Sequence, residues 1–396
     1  MHALVGARIE RSGFDSIMKV FASLAAFGLI ISLATVTPAL HDDNKDGSSE
    51  KIERSMPVDP TATITVCVMS GTITVHGWDK NEVRVRSAEA GVLDFRRIDK
   101  AKAKEKDKDK DKVLETPATR VDIMVMDKSD KTGKKGDCQA VADVEVEVPH
   151  GATVQVQTRD GDIHIAGVAA AYAGSQNGDI SIEGATRLVE AGSVGGSILL
   201  RDSAGRINLS SAGGAVEAAN VKGTSTDDNF EVATVSGDVL LDNISNPKLV
   251  VKTVNGGVTM TGALARAGQY GFTTLSGDVT LALPTDASFK IVAKLSENHN
   301  IISDFKLKYL EIPQPPAPNP QMTPAPPAAR TPAPKVPPAP KAAPPAVKDP
   351  PTATIVIKPS ISIPVYTLRR IVATCGTGDA NIAVNSFSGT VRLKKI

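Results

Sequence analysis

The residues of this sequence whose type and spacing could do chemistry are the aspartates that follow glycine in a recurring turn. They are Asp162, Asp179, Asp238, Asp278 and Asp379. If Asp162 and Asp179 stack on adjacent coils, their carboxylates lie ~5 Å apart, the separation retaining glycosidases use for acid and nucleophile. Carboxylate oxygens in a row could also hold a hard cation such as Ca²⁺. A plainer role competes with both. Aspartate after glycine is a good turn residue, because its side chain can hydrogen-bond its own turn. Ser197, Ala215 and Gly257 occupy equivalent slots, which fits a position selected for turn geometry and for relief of charge repulsion. The turn role is the expectation here, with no catalytic residue, no cofactor and no metal.

Other chemistry is sparse. The six histidines (His2, His41, His76, His150, His164 and His299) are scattered, and no two have zinc-ligand spacing. The chain has no phosphate loop and no Gly-x-Ser-x-Gly elbow. Lys plus Arg (45) nearly equals Asp plus Glu (44), so the overall balance gives no reason to expect nucleic acid as a partner. Aromatic residues make up 4%, with the single Trp78, which argues against a stacking platform for bases or sugar rings. Three cysteines permit one disulfide in an oxidising compartment. Cys67 and Cys138 are the preferred pair, and three unpaired thiols are the alternative.

These turns need a scaffold that repeats. Each unit reads Gly, then a turn residue, then apolar residues two and four places after the glycine. The turn glycines are Gly161, Gly178, Gly196, Gly214, Gly237, Gly256 and Gly277, separated by 17, 18, 18, 23, 19 and 21 residues. Gly71 and Gly389 mark the same unit nearer the ends. A period of about 20 residues signals a stacked architecture, in which one coil cannot bury an apolar face but a pile of coils can. The expected fold is all-β, a β-solenoid-like stack of short strands with Gly-Asp turns. Side chains alternate along a strand, so Ile163, Ile180, Ile198, Val216, Val239, Val258 and Val279 should line up inside. Glycine at the corner would permit a left-handed backbone.

The rest of the chain is organised around that array. Residues 1–40 read as a secretory signal peptide: Lys19, the apolar run Val20–Leu33, then Thr37-Pro38-Ala39. Removal of that segment would leave no membrane span. Residues 41–60 read as a tether. Residues 61–150 hold isolated strands and a charged loop, 99–112, with seven Lys and five acids interleaved. The array proper covers 151–310. Residues 311–352 form a Pro-rich insertion without core-forming residues, since 313–351 hold 17 of the 26 prolines. Residues 353–396 resume as strands expected to dock on the array as its terminal cap.

The repeated Ser/Asn-Gly-Asp-Ile/Val unit resembles the bacterial putative-adhesin family, a β-strand-repeat domain. The matching residues are Ser70-Gly71-Thr72-Ile73-Thr74-Val75 with Gly77-Trp78-Asp79, Val148-Pro149-His150-Gly151-Ala152, Val235-Ser236-Gly237-Asp238-Val239, Leu275-Ser276-Gly277-Asp278-Val279 and Phe387-Ser388-Gly389-Thr390-Val391. The resemblance implies an exported β-solenoid-like fold with a periplasmic or cell-surface role and brings no catalytic residues. The expected function is a non-enzymatic envelope or surface protein, adhesive or structural, whose partner is an envelope component, a glycan or a protein. Two alternatives are an envelope-stress sensor that binds peptides or lipids and a β-helix enzyme acting on acidic polysaccharide.

Overall fold

A computed structural model describes residues 52–87, 92–98, 117–126, 141–296, 300–310 and 369–396. The expected signal peptide, the charged loop 99–112, Cys138 and the Pro-rich insertion lie outside these residues, as do the strands expected at 353–365.

Every regular element described is a strand. The first six are β1 (Ile52–Cys67), β2 (Ile73–Trp78), β3 (Glu82–Ser87), β4 (Val92–Arg97), β5 (Ala118–Met126) and β6 (Val144–Pro149). The array follows with β7 (Thr153–Gln157), β8 (Ile163–Ala166), β9 (Ala170–Ser175), β10 (Ile180–Glu183), β11 (Leu188–Ser193), β12 (Ile198–Arg201) and β13 (Arg206–Ser211). It continues with β14 (Val216–Val221), β15 (Asn229–Thr234), β16 (Val239–Ile244), β17 (Lys248–Asn255), β18 (Val258–Thr261), β19 (Gln269–Ser276) and β20 (Val279–Leu283). The last are β21 (Phe289–Leu295), β22 (Ile301–Ser303), β23 (Lys308–Tyr309), β24 (Arg369–Cys375), β25 (Ala380–Ser386) and β26 (Val391–Lys395).

From β7 to β20 each coil contributes one strand to each of two sheets. Even-numbered strands pair in parallel in sheet A, and odd-numbered strands pair in parallel in sheet B. The expected apolar ladder forms: Ile163, Ile180, Ile198, Val216, Val239, Val258 and Val279 pair in one row and are all buried. Ile73 and Val144 extend the row at one end and Val391 at the other. The intervening side chains point outward, as Ser181 and His164 do. The fold is a β-solenoid-like stack, with the core between the sheets.

That alternation carries a direct test. Ile180 is 1% exposed and Ser181 lies on the outer face. Ile180→Ala should lower stability by ~2–4 kcal/mol in a denaturant melt, because buried methyl groups are lost and a cavity remains. Ser181→Asp should move it by less than ~0.5 kcal/mol. Equal effects at the two positions would contradict the register.

Strand order departs from chain order at both ends. At the N-terminal end, β1 and β2 sit between the coil β5–β6 and the coil β7–β8. Antiparallel β3 and β4 then pair with β6 and β5. The tether expectation over 41–60 is corrected in part: residues 52–60 belong to β1, and Ile52–Pro57 pairs antiparallel with β3. Among the described residues that half of β1 has a sheet neighbour on one side only, where a proline without an N–H is tolerated. At the other end the final coil is not a cap. β25 pairs with β19 on one side and β21 on the other, and β26 lies between β20 and β22. Antiparallel β24 and β23 complete sheet B beyond β21. Antiparallel strands thus border both sheets at the N-terminal end and sheet B at the other, where parallel coils would otherwise offer open edges, while sheet A ends in the short parallel β22.

Candidate functional site

The Gly-Asp corner joins each sheet B strand to the next sheet A strand. Its glycines form one unbroken column, but the expected left-handed backbone is not the main reason for them. Gly71, at φ 116°, is the clear left-handed case, while Gly161, Gly178, Gly196, Gly214, Gly237, Gly256 and Gly389 are not at positive φ. Close approach explains them instead. A Cβ on Gly178 would meet the Gly161 carbonyl oxygen at 1.9 Å, one on Gly196 the Gly178 oxygen at 2.0 Å, and one on Gly214 the Gly196 oxygen at 2.2 Å. The same contact recurs from Gly71 against Ala142 through to Gly389 against Gly277. Stacked corners leave no room for any side chain. The left-handed positions lie at the opposite corner, at Gly167, Gly184, Asp202, Asn220 and Asn243, with φ between 47° and 69°. There the Asn220 amide donates to Asp202 and the Asn243 amide to Asn220, joining three coils.

A buried hydroxyl stands three residues before most of these glycines. Ser193 Oγ donates to the Gly178 carbonyl at 3.1 Å and accepts the Gly196 N–H at 2.9 Å, so it ties one coil to the next. Ser211 repeats this between Gly196 and Gly214, and Thr234 and Ser386 accept the Gly237 and Gly389 amides. These four hydroxyls satisfy backbone groups that the dry corner would otherwise orphan, whereas the Thr253 and Thr274 hydroxyls, at the equivalent positions, are buried without a partner among the described residues. Sequence reasoning missed this column, yet it is visible as Ser/Thr-x-x-Gly in unit after unit.

The turn aspartates do something different from what was expected of them. The bonds of Asp162, Asp179, Asp238 and Asp278 run to the next coil, and only Asp379 is bonded within its own turn. Asp162 Oδ1 accepts the Asp179 N–H at 2.9 Å, and Asp179 Oδ1 accepts the Ser197 N–H at 2.7 Å. Asp238 takes the Gly257 N–H and Asp278 the Thr390 N–H, both at 2.8 Å. Each carboxylate therefore staples its coil to the equivalent amide of the next. Asp379 stands apart from the column and is bonded by the Thr377 hydroxyl at 2.8 Å. Only Asp162 and Asp179 are aspartates in consecutive slots, in an open depression bordered by Asn177 and Gly195. Among the described residues no three His, Cys, Asp or Glu side chains gather in metal-binding geometry. Cys67 is disulfide-bonded, and Cys375 is a free, half-buried thiol.

A charged lattice covers sheet A at its N-terminal end. Arg84 bonds Glu147, and Arg86 reaches Glu53 at 3.1 Å and Glu145 at 3.7 Å. The Arg84 bond holds the Glu147 carboxyl below its ordinary range and raises the Arg84 guanidinium. The Lys80 and Arg84 charges stand over the Trp78 ring, 4.8 and 4.7 Å from its centroid. Its indole N–H donates to the Glu82 carbonyl at 2.8 Å. The alternation Val83-Arg84-Val85-Arg86 against Val144-Glu145-Val146-Glu147 is the sequence signal for this clasp. Its charges are satisfied among themselves.

The sequence over residues 72–303 matches the model of the Toastrack DUF4097 family. The chain belongs to that family. The resemblance to bacterial putative adhesins read from the Ser-Gly-Asp units therefore holds, and the Toastrack match spans the described coils from β2 to β22. None of the curated proteins matches the sequence. Two solved structures are similar at low identity. A putative cell adhesion protein from Clostridium sporogenes shares 8% identity, covering 88% of this chain and 100% of its own, with a TM-score of 0.22. A putative adhesin from Parabacteroides merdae shares 9%, covering 60% and 91%, with a TM-score of 0.33. Likeness at that level bears on neither activity nor ligand.

Proposed function

We propose that this Toastrack chain is an exported, non-enzymatic envelope or surface protein, adhesive or structural, that presents its outer β-faces to an envelope component, glycan or protein. The observation that carries the non-catalytic part is the state of the turn carboxylates. Asp162 and Asp179, the turn aspartates on adjacent coils, each spend an oxygen on a backbone amide of the neighbouring coil. Each amide bond fixes its carboxylate as part of the corner, and the depression around the pair is open rather than shaped to a substrate. The stack itself supports a presenting role, because its outward residues form long polar rows fixed in register.

Export rests on Lys19, the apolar run Val20–Leu33 and Thr37-Pro38-Ala39. No described helix is long and apolar enough to cross a membrane. Expression in a bacterial host followed by cell fractionation and intact-mass measurement tests the export reading. The expected product begins near Leu40 and is recovered outside the cytoplasm. A soluble cytoplasmic protein that retains residues 18–39 would overturn it.

A further inference from the structure

We propose that the outer face of sheet B, at the C-terminal end of the stack, binds an acidic polysaccharide laid along the stack axis; this deepens the envelope reading above by giving it a ligand class. The near-neutral total hides a division of charge. Residues 246–396 carry 17 Lys and Arg against 7 Asp and Glu, leaving 28 against 37 for residues 1–245. Six of these 17 cations stand on the outer face of sheet B.

Two basic rails run there. In one, Lys248 is aligned through Gln269 and Asn381 with Lys290, and through Thr374 with Lys308. In the other, Lys252 is aligned through Thr273 and Asn385 with Lys294 and then Arg370. All six cations are exposed, and none forms an ion pair with a described residue. The residues between them in each rail are neutral amides and hydroxyls able to bond sugar oxygens.

The rails lie four residues apart on the strand, ~13 Å, and flank a lane of Val250, Gly271, Ala383, Val292 and Val372. Along each rail three inter-strand steps separate the first two lysines, ~14 Å. A linear glycan can rest its C–H faces on this smooth lane and direct carboxylates to either side. On β15 the lane ends at Glu231, where the acidic part of the molecule begins and a polyanion is repelled. No aromatic ring stands on the lane or rails to stack bases, which disfavours single-stranded nucleic acid. The exposed apolar side chains here, Tyr309 and Leu310, stand at the β23 end of the lane, and no bulky apolar side chain projects among Lys248, Lys252, Lys290 and Lys294 to enter a bilayer. The insertion between β23 and β24 cannot neutralise the face by composition, since residues 311–368 add five basic residues and two acids.

The test is titration of the mature full chain with polygalacturonate at low salt. Neutral dextran, single-stranded DNA and phosphatidylglycerol vesicles are run in parallel. Polygalacturonate is expected to bind in a salt-sensitive manner and dextran not to bind. The variant K252E/K290E/K294E should weaken binding roughly tenfold or more. K252R/K290R/K294R should retain it. The same three-charge reversal on the acidic half and away from the rails, R159E/R201E/K222E, should change it less than about twofold. No binding, equal weakening by both reversals, or preference for DNA or vesicles would overturn the proposal. Polymer length is read in the same samples. Shortening would overturn the non-catalytic reading above, and the rail variants would still decide the binding face.

Discussion

A chain that ends at Leu368 should not keep a folded stack, whereas a chain cut within 313–351 should. Removing residues 369–396 takes away β24, β25 and β26. β19 and β21 are not paired with one another; each pairs with β25. β20 and β22 likewise meet only through β26. Truncation therefore opens both sheets at one level and leaves two strands in each with bare backbone. Ile382, Val384, Val391 and Leu393, all at most 1% exposed, leave with the deleted coil. Their burial alone contributes on the order of 8 kcal/mol, which rivals the whole stability of an ordinary domain. The expected result is an insoluble product or a melting transition that has lost its cooperativity. A single cut in 313–351 removes none of the described strands, so both fragments should co-elute from a sizing column under native conditions. A soluble, cooperatively melting truncation, or separation of the cut fragments, would contradict the inserted position of β25 and β26.

How much of this was legible in the sequence depends on the range of each interaction. The Ile180–Ile198 row was legible because it follows from alternation within a strand and a repeat of about 20 residues, both local signals. The turn glycines were found for the same reason, but their purpose was misjudged. Glycine in a turn suggests its own φ, and only the stack shows that the Gly178 carbonyl occupies the space of a Gly196 side chain. The aspartates were misjudged in the same way: their hydrogen bonds run to the next coil, 17 to 19 residues on for Asp162, Asp179 and Asp238. The inserted coil was out of reach. Thr273 and Asn385 are 112 residues apart, and nothing in either segment says that β25 enters between β19 and β21 rather than capping the array. The tether reading failed because Pro57 and Pro60 look like loop residues unless the strand is known to lie at an edge. The basic rails were hidden by a composition that sums to near neutrality. They appear once sheet B brings Lys252, Lys294 and Arg370 onto one row.

Coils stack so closely at the Gly-Asp corner that no side chain fits there. Comparison of Gly196→Ala with Gly174→Ala in denaturant melts tests it most directly. The two glycines differ in one respect that matters. A Cβ at Gly196 would lie 2.0 Å from the Gly178 oxygen, 2.4 Å from its carbonyl carbon and 2.9 Å from the Asp179 nitrogen, all backbone atoms held by ladders on both sides. A Cβ at Gly174, on the outer face of β9, meets nothing within 4 Å. Neither residue has a positive φ, so alanine brings no left-handed strain at either position. Relief at position 196 requires two coils to part, which also stretches the Ser193 bridge. Gly196→Ala should therefore cost about 3 kcal/mol or more, at the upper end for an overpacked site. Gly174→Ala should be neutral or should stabilise slightly, by ~0.4–1 kcal/mol, through reduced freedom of the unfolded chain. A Gly196→Ala protein that melts with the wild type, or two variants that fall together, would contradict the stacked corner.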